Sequence, residues 1–287
     1  MREYVIIIGA MKAGTTTLFD LLAQHPAIAA ARNKEPGFFA FDDIWGKGFD
    51  WYDGLFDFDP KQHRYRLEAS TDYTKAPFVE NVWTRMTSDP DVSIHLIYIV
   101  RDPIRRLESH ARHVQRARKE IGQQISSRPD HSLDAGLSPV SLAISNYARQ
   151  LDAYSEALAE QRLHIVSLDA LNADPQATMS EVFDFLKLAP HSTEMAVKNA
   201  AGSHTRVLKA WRLLTLFKPA VWLAKTVLPE TLRNSIKAMF YRKVKVSGRF
   251  RFSAEEERML EELFEPGIIR LRELHGVDVR PSLKTPR

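Results

Sequence analysis

Glu3-Tyr4-Val5-Ile6-Ile7-Ile8-Gly9-Ala10-Met11-Lys12-Ala13-Gly14-Thr15-Thr16-Thr17-Leu18 stands at the head of the chain. Residues 5–8 are an unbroken β-branched run, the pattern of a strand buried on both faces of a parallel sheet. Gly9 and Gly14 bracket a short turn. Residues 15–24 then carry Leu18, Leu21 and Leu22 at helical spacing, until His25-Pro26 stops the helix. Strand, glycine-bracketed turn and helix have the spacing of a phosphate-binding loop, where backbone N–H groups and a helix N-terminus cradle an anion. The nucleoside-triphosphatase form of this loop ends Gly-Lys-Ser/Thr. Here Gly14 is followed by three threonines and the lysine stands inside the turn, at Lys12. That position suits a bridging or leaving oxygen, not outer phosphates beside a magnesium ion.

The remaining pattern extends the same architecture. Further buried strands are expected at 94–100 and 164–168, with a shorter one at 65–68, and helical spacing recurs near 103–119, 141–161, 175–187 and 254–275. Alternating strands and helices predict an α/β fold around a parallel sheet. The 94–100 strand runs into Arg101-Asp102-Pro103, where Asp102-Pro103 is the start signal of the next helix. A nucleotidase would place a magnesium-holding Asp at that strand end. Arg101 instead repels a cation and attracts an anion. Residues 120–139 are polar and hold Gly122, Pro129, Gly136 and Pro139, so a long mobile loop is expected there.

Composition narrows the class. With 287 residues and 44% of them hydrophobic, the chain can bury a sizeable core, and disorder or a fibrous repeat is excluded. A net charge of +4 tilts toward anionic partners but shows no nucleic-acid-binding module. The absence of cysteine excludes a disulfide framework, a Cys nucleophile and thiolate metal sites. No cleavable leader pattern and no long apolar span are visible, so a cytoplasmic chain is expected. From 204 to 251 there are twelve Lys/Arg against one acid, Glu230, interleaved with aromatics. Two readings stay open for this segment. One is a helical lid with a solvated basic face; the other is a surface docking onto anionic glycan or the periphery of a membrane. The expected organisation is one domain: an α/β core over 1–200, the basic lid over 201–252, and a C-terminal helix and tail over 253–287.

Gly9-Ala-Met-Lys-Ala-Gly-Thr-Thr-Thr-Leu18 closely resembles the 5′-phosphosulfate loop of sulfotransferases that use 3′-phosphoadenosine 5′-phosphosulfate (PAPS). Ile99-Val-Arg-Asp-Pro-Ile-Arg-Arg-Leu-Glu-Ser109 resembles the family's 3′-phosphate motif. Lys34-Glu35-Pro36-Gly37-Phe38-Phe39 is similar to its acidic segment, and Ser247-Gly248-Arg249 falls where the heparan-sulfate-type branch has a cofactor-capping Lys-Gly-Arg. The resemblance implies a three-layer P-loop-type fold and metal-free sulfuryl transfer from PAPS to a hydroxyl or amine of a carbohydrate, glycolipid or small molecule. It assigns Lys12 to the departing 5′-phosphate oxygen and Ala13, Gly14, Thr15, Thr16 and Thr17 to the 5′-phosphate. Arg101 and Ser109 go to the 3′-phosphate, Gly248 and Arg249 to the cofactor, and Glu35 to the general base.

The residues themselves add rivals and departures. The alternative for Glu35 is a loop carboxylate paired with Lys34 or Lys12, and His110 and His113 compete with Glu35 as base because they follow Ser109 on one helix. Arg105, Arg106, Arg112, Arg116, Arg118 and Lys119 read mostly as a solvated face. Glu68-Ala69-Ser70-Thr71-Asp72-Tyr73 resembles the branch's Glu-Lys-Thr/Ser-x-x-Tyr motif with Ala69 in place of its lysine, and Ser247 replaces the lysine of the cap. Lys75 is the nearest substitute charge in sequence. Trp45, Trp51 and Tyr52 suit either sugar stacking or a core, and Asp72 and Tyr73 either an acceptor cleft or packing. Two other functions compete: a small P-loop kinase using ATP–Mg²⁺, disfavoured by the loop ending and by Arg101, and a noncatalytic module binding anionic glycan or lipid through 204–251.

Overall fold

The computed structural model describes residues 1–121, 138–195, 203–207, 241–245 and 251–280. Its centre is a five-stranded, all-parallel sheet in which β1 (Arg2–Gly9) lies between β3 (Tyr65–Glu68) and β4 (Val92–Val100). Outer strands β2 (Ile28–Ala30) and β5 (Leu163–Ser167) complete the order β2-β3-β1-β4-β5. The β-branched run of β1 is central, as its unbroken apolar character requires. Tyr4, Ile6 and Ile8 point into one core; Val5 and Ile7 point into the other.

Helices fill both layers. Facing Val5 and Ile7 are α1 (Thr15–Leu22), with Leu18, Leu21 and Leu22, and later helices of the chain described below. The other face carries the short helices α2 (Asp42–Trp45) and α3 (Gly48–Asp53), where Tyr52 stacks on Phe38 with centroids 4.3 Å apart and planes 6° apart. Tyr52 is thus core, and Trp45 packs onto the same aromatic cluster. Next come α4 (Val82–Met86) and the long α5 (Pro103–Ile121), started by Asp102, whose Oδ1 accepts from Arg105 N–H at 2.6 Å.

Three differences from the sequence reading have local causes. The helical pattern over 141–161 is broken into α6 (Pro139–Ser145), α7 (Tyr147–Leu151) and α8 (Ser155–Ala159), because Ser138 and Asn146 each cap a new start. A helix α9 (Leu168–Ala173) follows β5 directly and is separated from α10 (Pro175–Phe185) by the cap Asp174. Leu171, Met179, Val182 and Phe183 of these two helices line the Val5/Ile7 face. Arg106 is not on a solvated face: it is fully buried, its Nε donating to Ser145 Oγ and its Nη2 to Ser141 O, both at 2.7 Å.

The chain divides into two compact units, Met1–Met195 with Phe250–Arg287, and Ala196–Arg249. In the second, β6 (Ser203–Val207) pairs antiparallel with β7 (Tyr241–Lys245), from Ser203↔Lys245 to Val207↔Tyr241. The segment expected to be a helical lid therefore holds strands at these two places, satisfying backbone groups across the ribbon. Residues 208–240, and with them most of the basic segment, lie outside the described residues, as does 122–137 of the expected mobile loop. The first unit ends in α11 (Ala254–His275), which opens with a Ser253/Glu256 capping box and stops at left-handed Gly276. Its Leu260 and Phe264 pack on Ile104 and Leu107 of α5. Among the described residues, no helix is long and apolar enough to cross a membrane.

Candidate functional site

Because all five strands run the same way, their C-terminal ends share one edge, the usual ligand edge of an open α/β sheet. That edge gathers the 9–14 loop after β1, the 31–39 segment after β2, residues 69–74 after β3 and Arg101 after β4.

The loop is held tightly. Ala10 N–H donates to Ile99 O at 2.7 Å, and Ala13 N–H to Ala10 O at 3.0 Å. Gly9 has φ 151° and Gly14 φ 101°. A Cβ on Gly9 would sit 2.1 Å from Thr74 Oγ1, and one on Gly14 2.7 Å from Leu168 Cδ1. Thr74 in turn donates to Ile8 O at 2.8 Å, clamping the strand end. Lys12 adopts φ 68° and is half-buried at the turn. Ala13 and Thr15 are buried, Thr17 is half-buried and Thr16 is exposed.

Lys34 joins the loop to the acidic segment. Its Nζ lies 3.4 Å from Thr15 Oγ1 and 2.6 Å from Glu35 Oε1. Glu35 is thereby brought beside the first residue of α1. Behind it, Gly37 N–H donates to Ser70 Oγ at 3.0 Å and Phe39 N–H to Tyr73 Oη at 3.3 Å. Both hydroxyls then donate to fully buried Glu68, each at 2.7 Å, and Tyr52 Oη adds a third bond at 3.1 Å. Burial pushes the Glu68 carboxyl up to about 7; the three hydroxyl bonds oppose this, and the nearby Glu35 charge adds to it. Tyr73 is thus a packed network member, not an acceptor-cleft residue.

Arg101 is half-buried, and its Nε is enclosed without a hydrogen-bond partner. The neighbouring acids have other hydrogen-bond partners. Asp102 caps α5, while Glu108 binds Arg105 at 3.0 Å and Arg251 at 2.7 Å. Ser109 lies half-buried on α5, with His110 buried and His113 exposed beside it. Lys75 pairs with Asp72 at 2.9 Å, so its charge is not directed to replacing a lysine at position 69. Ser247, Gly248 and Arg249 lie outside the described residues.

A glycine-bracketed loop with an interior lysine, a carboxylate beside it and a half-buried arginine at the neighbouring strand end are now in place. The sulfotransferase domain family matches residues 2–260. The chain belongs to this family. Human heparan sulfate glucosamine 3-O-sulfotransferase 5 is 28% identical over 194 residues, covering 66% of this chain and 54% of that protein. Mouse heparan sulfate glucosamine 3-O-sulfotransferase 3A1 is 32% identical over 197 residues, 64% of this chain and 45% of that protein. The chain spans about half the length of the curated relatives it matches. A crystal structure of a sulfotransferase from Alicyclobacillus acidocaldarius aligns with a TM-score of 0.63 at 20% identity, covering 97% of each chain, a likeness of fold. The three-layer, P-loop-like architecture expected from the sequence is therefore that of this sulfotransferase domain.

The sequence reading offered Lys34 as an ion-pair partner of Glu35, and the structure forms that pair, but its contact with Thr15 was not foreseen and Thr74 carried no signal. The Glu68–Ser70–Tyr73 network was present as a motif, but its role in holding Gly37 and Phe39 depends on contacts more than thirty residues apart in sequence.

Proposed function

We propose that this sulfotransferase domain transfers a sulfuryl group from PAPS to a hydroxyl or amine of a carbohydrate acceptor by in-line displacement. The observation that carries the reading is the pairing of the Gly9–Gly14 cradle with the enclosed, hydrogen-bond-free Nε of Arg101 at the adjacent strand end. A cradle too tight for side chains and a guanidinium whose Nε makes no hydrogen bond fit a ligand with phosphate at both ends. The carbohydrate acceptor is supported by the kinship with heparan sulfate sulfotransferases.

Bound PAPS supplies a sulfuryl group already joined to a phosphate leaving group. The loop N–H groups with Ala13, Gly14, Thr15, Thr16 and Thr17 hold the 5′-phosphate charge. Lys12 neutralises the charge that develops on the departing oxygen. Arg101, with Ser109, holds the 3′-phosphate through its planar fork. Glu35 accepts the acceptor's proton. Ser70 and Tyr73, bonded to the Gly37 and Phe39 amides, keep its segment against the loop.

Calorimetric titration with 3′-phosphoadenosine 5′-phosphate, beside ADP with and without Mg²⁺, tests the donor. Metal-independent binding of the bisphosphate, much tighter than ADP, is expected. Preference for ADP–Mg²⁺ would replace this reading with a kinase, and binding of neither would replace it with a noncatalytic module.

A further inference from the structure

Lys34 does more than neutralise its neighbour. Its ammonium bonds the hydroxyl of Thr15, the first residue of α1, and the carboxylate of Glu35. An ammonium has three N–H donors, so one remains after these two bonds. The Lys34 side chain is 20% exposed and that of Glu35 45%, so the pair stands at the mouth of the cradle and not under it. Ala69 N–H donates to Lys34 O at 2.9 Å, which sets the two backbones side by side. A lysine is absent at buried position 69, and Lys34 brings an ammonium to the loop from the adjoining segment. Lys75, the other nearby cation, is paired with Asp72.

We infer that Lys34 is a second donor-binding cation that exchanges partners: it holds Glu35 in the empty site and turns to the phosphosulfate end of the donor when that binds. This rests on the function proposed above. A half-exposed single carboxylate competes poorly with a multiply charged anion in the cradle, so exchange is downhill. Once released, the Glu35 carboxylate is free to take the proton of an acceptor hydroxyl. Donor binding and arming of the base are thereby one event.

Exchange predicts a competition that simple proximity does not. The full chain is titrated calorimetrically with 3′-phosphoadenosine 5′-phosphate and with adenosine 3′-monophosphate, which lacks the 5′ anion. Lys34→Met should weaken the bisphosphate about tenfold, the size expected for one charge-assisted bond, and leave the monophosphate unchanged. Glu35→Gln should tighten the bisphosphate about threefold, and the gain should vanish in the double variant, as in any coupled pair. Lys34→Arg should bind within about threefold of wild type, because it keeps the charge. Thermal melts establish that each variant is folded, with Lys34→Gln as the replacement if the Met variant is not. Unchanged bisphosphate affinity in Lys34→Met, equal weakening of both ligands, or a Glu35→Gln gain that survives without Lys34 would each overturn the assignment. A folded wild type that fails to bind the bisphosphate would instead bring down the proposed function, and this inference with it.

Discussion

Lys12 is the residue whose displacement from the usual place in the loop turned the reading away from nucleotide hydrolysis. If it neutralises the departing oxygen, Lys12→Ala should lower kcat by about two to three orders of magnitude with the melting midpoint unchanged, the scale of losing one preorganised charge-stabilising donor. Near-normal turnover would remove it from the reaction. Arg101 makes a different prediction: if it holds the 3′-phosphate, Arg101→Ala should weaken 3′-phosphoadenosine 5′-phosphate by about tenfold or more while leaving adenosine 5′-phosphosulfate affinity alone, since only the former carries that phosphate. Glu68 offers a test by pH. Its carboxyl sits at about 7 in the fold against 4.5 for the ordinary group, so between those values the folded state holds a proton that the unfolded state has lost. Stability from this group is present below the lower value and declines as pH rises to the upper one. Urea midpoints of wild type should therefore fall relative to Glu68→Gln between these limits and run parallel outside them. A constant difference across the range would show that Glu68 stays ionised.

Elements are positioned here by caps and amide clamps as much as by hydrophobic stripes. The segment carrying Glu35 has no regular structure over residues 33–37, yet Gly37 and Phe39 are anchored through hydroxyls to a buried carboxylate. Rigidity of the Glu35 segment is thus provided by a neighbouring strand end and not by the segment itself. At the other end of the chain, α11 begins with both bonds of its capping box formed. Ser253→Ala should cost about 1 kcal/mol in denaturant unfolding and leave bisphosphate affinity unaltered. A loss of affinity would mean that the start of α11 communicates with the site.

Across the whole first unit, residues far apart in sequence close around Glu108 on α5. Glu108 is 1% exposed and receives both Arg105 from its own helix and Arg251 from the strand of chain leading into α11. Leu260 and Phe264 of α11 seal the same region against Ile104 and Leu107. Glu108 is buried, but both arginines are partly exposed and Arg105 also reaches Glu257, so Glu108→Gln should destabilise by about 1 kcal/mol. Equilibrium unfolding in urea measures it; a change below about 0.5 kcal/mol would show that water replaces the carboxylate's role.

Local backbone physics made much of this protein legible in one dimension. An all-β-branched run fits only a buried strand, Gly9 and Gly14 stand where φ is positive and a Cβ would collide, and helical spacing over 254–275 matches α11. These features act through the residue itself or its near neighbours in sequence, so order and spacing suffice to read them. The alanine-rich β2 was invisible because Ile28–Ala30 becomes a strand only by pairing with β3. Arg106 looked like one more surface cation until Ser141 and Ser145 came to meet it, and Lys75 looked available until Asp72 bound it. The partnership of Lys34 with Thr15, and the hold of Glu68 on the Glu35 segment, likewise arise where separate strand ends converge. Such contacts depend on distance in space, which chain order does not encode residue by residue, so folding alone places the second cation at the cradle.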